Sequence, residues 1–294
     1  MTVFKAACIQ LNAGREVEPN IRAASALVRG AREAGADLIM TPEVSDMIEP
    51  KRALAFLSLV VAPALLAGIE LFHPAHFTLN PGMSEFLSQP QARDPNFNAI
   101  TYFGPQWWFL LHMLQTPLVV VVAFGLLHLT DTFGRDTTAQ HLPFAWLSRV
   151  ATVVFMTFYT VLDAIGGIAL GRELVILKEL LASGTIREAD AQTIRLFLDR
   201  LWVDPWVGGV GSVVSLVGSW AVFIAAVSAA AYLFLNRKAT WLEAALLVGF
   251  GWELQVAHAS YHGPIAFTLL AVAAALLLSR KRPLPGHANS APRS

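Results

Sequence analysis

The sequence predicts an all-α polytopic membrane helix bundle of about six transmembrane helices, preceded by a short N-terminal β-α-β appendage. Of its 294 residues, 55% are hydrophobic and 14% are charged, whereas a soluble domain carries about 25% charged residues. The charge is also uneven, because 14 of the first 52 residues are charged but only 28 of the remaining 242. A polar head therefore precedes a body that is apolar enough for lipid.

Six stretches of the body have the roughly 17 to 25 apolar residues that are needed to cross about 30 Å of hydrocarbon. They show almost no polar stripe at a 3.6-residue period, which a helix on the surface of a soluble protein would have. The predicted spans are 53–72, 107–129, 150–171, 206–235, 242–258 and 264–279. We therefore expect a transmembrane domain over residues 53–280.

Basic residues beside the spans predict the orientation of the chain. Arg237 and Lys238 follow the fourth span, and the run 280–282 (RKR) follows the sixth. Placing both in the cytoplasm puts the N-terminus there as well. We expect a multi-pass protein of the cell (inner) membrane, whose main partner is the lipid bilayer, with residues 281–294 as a basic, disordered cytoplasmic tail.

The long connector at 172–205 predicts two amphipathic helices lying on the outer surface of the membrane. Gly184 is placed to end the first helix. Thr185, with Glu188 three residues later, has the pattern of a capping box that opens the second. A solvated loop with two ordinary helices is the alternative interpretation.

Ionisable residues in the body fall at similar depths under this topology. Counting 1.5 Å per residue places them all in the outer half of the membrane or at its outer edge. The candidate polar membrane site consists of Glu70, His112, Asp163 and Glu253, and the candidate metal ligands are His73, His76, His258 and His262. Asp163 shares a helix face with Gly167 and Gly171, a GxxxG pattern that favours close helix packing.

Three interpretations of this layer remain open. The acids and histidines can satisfy one another as polar contacts between helices. They can hold a transition metal or haem, since imidazole and carboxylate suit zinc, copper or iron, and His258 and His262 have the i, i+4 spacing of two ligands on one helix face. They can also form a proton- or solute-handling cavity, as intramembrane carboxyls do in transporters.

Other function classes lack support in the sequence. The 21 basic residues balance the 21 acidic ones, so no net charge indicates nucleic acid as a partner. Walker A, Rossmann and GxSxG patterns are missing from the sequence, so it gives no sign of ATP-driven, dinucleotide-dependent or serine-hydrolase chemistry. The sequence predicts an integral membrane protein without specifying its reaction.

The head, residues 1–52, has the pattern of a small soluble cytoplasmic β-α-β unit. Residues 2–11 (TVFKAACIQL) form a strand candidate, residues 20–34 have helix periodicity, and residues 37–43 (DLIMTPE) are an apolar run that ends at a carboxylate. An apolar strand, a helix and a second apolar strand are typical of a parallel βαβ unit.

The KAACIQLN opening and the ADLIMTPE segment followed by SDMIEPKRAL resemble the start of the nitrilase, or carbon-nitrogen hydrolase, superfamily over residues 1–54. The resemblance implies that Glu43 corresponds to the general base of the family's Glu-Lys-Cys triad. It does not extend into the body, where we identify no family.

The nucleophile that this resemblance requires is missing. Cys8 is the only cysteine and precedes Glu43, so no thiol follows where the family has its nucleophile. One cysteine also excludes an intramolecular disulfide and any multi-cysteine metal site. A carboxylate base without a nucleophile cannot form an acyl-enzyme, so we expect an inactive fragment.

We predict that the purified full-length protein releases no ammonia from panels of amides and nitriles, because the covalent intermediate cannot form. An ammonia assay on the wild-type chain and on a Glu43→Gln variant tests this expectation. Release that disappears in the variant would show that the head is an active hydrolase.

Overall fold

The structure, a computed structural model, describes residues 5–9, 17–40, 48–73, 82–88, 104–132, 142–209 and 211–280. The chain divides into two compact units, Met1–Ala55 and Phe56–Ser294. Glu43, His76 and the tail at 281–294 lie outside the described residues, so the expectations for them stay predictions.

The first unit contains the β-α-β arrangement. Strand β1 (Ala6–Cys8) pairs in parallel with β2 (Leu38–Met40), with Ala6 opposite Leu38. Helix α1 (Val17–Glu33) connects them, and Gly35 turns the chain towards β2 with a φ of +79° that favours glycine. Strand β1 is shorter than the sequence predicts, and the predicted residues that follow Met40 lie outside the described part of the chain.

The rest of the described chain is helical. Two helices contain a π-helical segment, which we call π1 and π2. The elements are α2 (Ile48–Phe56), π1 (Leu57–Val61), α3 (Ala62–Glu70), α4 (Met83–Ser88), α5 (Pro105–Thr132), α6 (Leu142–Leu162), π2 (Asp163–Ala169), α7 (Leu170–Ala182), α8 (Glu188–Trp202), α9 (Val213–Leu235), α10 (Trp241–Val256) and α11 (His262–Ser279).

Five helices in the described residues are long and apolar enough to cross a membrane, by length and composition, against six predicted. They are Arg52–Glu70, Pro105–Thr130, Leu142–Ala182, Val213–Leu235 and His262–Ser279. The predicted span that is missing from this set is the fifth, 242–258. It corresponds to α10, which is apolar but has 16 residues and rises only about 24 Å. It is shorter than predicted because Ala257 adopts an extended conformation with φ −165°.

The long helices form a closed ring. Successive members α3, α5, α6, α9, α10 and α11 pack side by side along the chain, and α11 packs back on α3. Large buried side chains such as Leu66, Phe155, Tyr232, Phe250 and Phe267 fill the space between them. The connections from α5 to α6, from α9 to α10 and from α10 to α11 are short, as in up-and-down bundles, whereas residues 71–104 and 163–212 form long connections from α3 to α5 and from α6 to α9.

The connector at 172–205 differs from its prediction in two respects. Its first helix is not separate, because α6, π2 and α7 run on as one helical stretch, Leu142–Ala182. The second helix starts at Glu188, not after Thr185, because the Asp190 carboxylate accepts a hydrogen bond from the Arg187 backbone N–H at 3.2 Å. Gly184 ends the first helix with a φ of +69°, as predicted.

Helices α4, α7 and α8 pack together into a small layer that we call the cap. Its apolar contacts include Leu87, Leu174 and Leu198, and Trp108 at the start of α5 joins them. The buried backbone N–H of Ser84 donates to the Asp199 carboxylate at 2.8 Å, which ties α4 to α8. The cap therefore has a core of its own.

The predicted close packing at the GxxxG pattern is confirmed. A methyl group built on Gly171 would lie 2.8 Å from the backbone nitrogen of Phe109 on α5 and 2.9 Å from its Cα. A methyl group on Gly167 would overlap the imidazole ring of His112. Only residues without a side chain allow the two backbones to approach this closely.

We predict that Gly171→Ala lowers the free energy of unfolding by about 1–3 kcal/mol, because the added methyl forces α7 away from the α5 backbone. Gly68→Ala is the matched control, since a methyl there meets no described atom within 4 Å and alanine favours the helix. Thermal unfolding in detergent measures both. Equal melting temperatures for the two variants would contradict the packing described here.

Candidate functional site

The ring places most of the sequence-predicted polar residues at one end. His73 follows α3, His112 lies near the start of α5, and His258 follows α10. Asp163 begins π2, and Glu70 ends α3. The described members of the predicted polar layer therefore gather where these helices start or end, although they form two separate groups.

The first group is a cluster of three imidazoles from His73, His112 and His258. One ring nitrogen from each lies within 4.8 Å of those of the other two. The His73 ring lies 5.2 Å from the His112 ring and 5.1 Å from the His258 ring, centre to centre. Three ring nitrogens that converge in this way can bind one metal ion.

His112 is held in the orientation that a metal ligand needs. Its Nδ1 lies 2.7 Å from the backbone carbonyl oxygen of Trp108, and a carbonyl only accepts, so Nδ1 carries the proton. Nε2 is then left with the lone pair that binds metal. Trp108 is fixed in turn, because its indole N–H donates to the Gly166 carbonyl of π2 at 2.9 Å.

The other two imidazoles are held by the ends of the helices. The Trp107 indole N–H donates to the Phe72 carbonyl at 3.0 Å, which fixes the chain next to His73. The ring of His258 packs edge to face against the ring of Tyr159, with 5.6 Å between the ring centres. Metal binding requires the neutral form of each imidazole.

Two buried carboxyls accompany the histidine cluster. Asp163 is 2% exposed, and its Oδ2 accepts from the Thr116 hydroxyl at 3.0 Å. The same hydroxyl lies 2.8 Å from the backbone carbonyl of His112. Glu70 is completely buried, and among the described residues neither of its carboxyl oxygens has a hydrogen-bond partner. Burial of such a group is costly.

The second group is a pair. Glu253 and His262 meet at 2.7 Å, from carboxylate Oε2 to imidazole Nδ1. His258 and His262 therefore do not share a helix face as their spacing suggested. Helix α10 ends at Val256 and α11 begins at His262, which places the two histidines on different elements.

A cavity of about 20 Å³ adjoins the histidine cluster, enough for about one water molecule. His112 and His258 line it on one side, and Asp163 lines it as well. Trp202, from α8 of the cap, forms another wall. The sequence analysis singled out neither Trp202 nor Thr116, although a tryptophan near a predicted span edge is a weak signal for the first.

The three histidines fit a metal ion better than haem. Tetrahedral zinc sites have metal–nitrogen bonds of about 2.0–2.1 Å, which the three converging nitrogens can supply with small side-chain movements. Haem takes its axial ligands from opposite faces of the porphyrin. A porphyrin needs far more room than the cavity of about 20 Å³ beside these imidazoles.

Comparison with known proteins gives no match: no family model matches the chain, and no curated protein or solved structure does so.

Proposed function

We propose that this chain is a multi-pass integral membrane protein. The five long apolar helices support this proposal, as do the large apolar side chains on the outer faces of the ring. Phe124, Trp146 and Val150 are 56%, 61% and 58% exposed. Apolar surface of this extent is unfavourable in water and is what hydrocarbon requires.

The distribution of charge supports an orientation with the N- and C-termini in the cytoplasm. Arg149 near the start of α6, Arg237 after α9 and Arg280 after α11 lie at one end of the ring. Arg280 pairs with the buried Glu243 at 2.8 Å. The histidine cluster lies at the other end, which the positive-inside rule assigns to the outer side.

We predict that membranes washed with alkaline carbonate retain the full-length protein, because only helices buried in hydrocarbon resist this treatment. Immunoblots of pellet and supernatant measure the distribution. Release of intact protein into the supernatant would contradict membrane insertion and the assigned orientation together.

We propose further that the function of this protein depends on a transition metal held by His73, His112 and His258. The convergence of three ring nitrogens within 4.8 Å carries this proposal. Neutral imidazole suits zinc, copper and iron, and such a metal supplies Lewis-acid or redox chemistry. A membrane-embedded metal-dependent enzyme, such as an oxidoreductase, is the function class that this arrangement supports best.

We predict near-stoichiometric metal in the wild-type protein and more than about 100-fold weaker binding in His112→Ala and His258→Ala, since each removes a ligand. Gly167→Ala keeps all three ligands but pushes against the His112 ring, so a loss of about 10–100-fold is expected. His128→Ala, on the same helix as His112, is the matched control. Elemental analysis and zinc titration measure these changes.

Two precautions make this measurement specific. Cys8 is exposed, so all variants carry Cys8→Ser to remove a competing thiol. Purification uses a tag without histidine. Metal binding that is the same in His112→Ala and His128→Ala would rule out the proposed site.

A proton-coupled carrier is the second candidate function. Glu70 favours it, since a completely buried carboxyl without a described hydrogen-bond partner is typical of proton-handling sites in membranes. Asp163 lies within electrostatic reach of Glu70. A folded protein that binds no metal would favour this candidate over the metalloprotein.

A further inference from the structure

We propose that the metal site has an open coordination position that accepts a ligand of one or two heavy atoms, and that Trp202 sets this size limit. The inference rests on the metal site proposed above and names the class of ligand that the site takes: water, or a diatomic molecule such as cyanide or dioxygen.

The position of the cavity supports an open coordination position. His112 and His258, two of the three ligands, line it, so the cavity lies directly beside the histidine cluster. Three protein ligands with an accessible fourth position are the arrangement of catalytic zinc sites, whereas structural sites are closed by four protein ligands. The cavity provides such a fourth position.

The size of the cavity limits the ligand. About 20 Å³ of space is available, and one water molecule needs at least about 10–15 Å³ of such space. One water or one diatomic molecule fills this space. A five-membered ring is larger than this space, so it would have to extend out of the cavity or displace a wall.

Trp202 is the wall that sets the limit. Its indole packs closely against two glycines. A methyl group built on Gly209 would lie 2.5 Å from the ring, and one built on Gly166 would lie 3.2 Å from it. The ring also contacts Trp108 edge to face at 6.4 Å. Tight contact on these sides holds the indole across the cavity, and its side chain belongs to the cap, not to the ring of long helices.

Asp163 supplies the polar wall. Its carboxyl lines the cavity, and its Oδ2 accepts from the Thr116 hydroxyl. A buried water requires about two to four polar partners. The metal and Asp163 would supply two of them, so a water molecule has the partners it needs at this position.

The test uses full-length Cys8→Ser protein loaded with cobalt(II), whose visible spectrum changes when a ligand binds. Cyanide is the two-atom probe and imidazole is the larger probe, and cobalt content is measured on every sample. In the Trp202-containing protein, cyanide should change the spectrum and imidazole should not. In Trp202→Ala, imidazole should bind at least about tenfold more tightly than in the parent.

Trp252→Ala is the matched control, because this indole on α10 is 52% exposed and lies outside the cavity walls. It should behave as the parent protein does. Trp202→Phe keeps a smaller aromatic wall and should bind imidazole more tightly than the parent but less tightly than Trp202→Ala. The comparison of Trp202→Phe with the parent serves as the test if the alanine variant fails to fold.

The outcomes separate this inference from the metal site itself. Cobalt-loaded parent protein that ignores cyanide, or that binds imidazole as tightly as Trp202→Ala does, would overturn the open position and its size limit while leaving the metal site intact. Failure to bind any cobalt would overturn the metal site and this inference together.

Discussion

The close approach between α5 and the segment formed by π2 and α7 is the contact on which the candidate site depends. Between helices in lipid, association relies on van der Waals contact and hydrogen bonds, because burial of apolar surface adds little. Gly167 and Gly171 permit that contact. The hydrogen bond from Trp108 to the Gly166 carbonyl then fixes the rotation of α5. With α5 in this position, the His112 ring lies beside the histidines that follow α3 and α10.

Much of the fold could be predicted from the sequence, because long apolar stretches mark the positions of the long helices and three of the five connections in the ring are short enough to favour antiparallel neighbours. The lengths of the helices were harder to predict from the sequence. Helix α10 stops early because of the backbone conformation at Ala257, and α7 continues from α6 through π2 although Gly166 and Gly167, which disfavour a helix, lie between them. The cap depends on apolar contacts between α4, α7 and α8 and on a long-range hydrogen bond from Ser84 to Asp199, and no local sequence pattern predicts these contacts.

The candidate site could be predicted only in part, for a geometric reason. Topology places residues at a given depth, so the sequence indicated that histidines and acids share one end of the ring. Which of them meet depends on helix rotation and on the connections. His262 pairs with Glu253 instead of joining the cluster, and His112 joins His73 and His258 although it is far from both in sequence. Trp202 reaches the cavity from α8, an element whose packing the sequence did not reveal.

Two buried carboxyl groups near the cluster could compensate the charge of a divalent metal in this apolar environment. Three neutral imidazoles would leave a dication's charge uncompensated, and an uncompensated charge in a low-dielectric interior is strongly unfavourable. Glu70 and Asp163 are buried at the same end of the ring and lie within electrostatic reach of each other. As carboxylates they carry two negative charges, which would balance the ion. The same two groups without an ion are difficult to reconcile as neighbouring anions, so the cost of burying them is itself an argument for a positive charge, whether metal or proton, at this end of the ring.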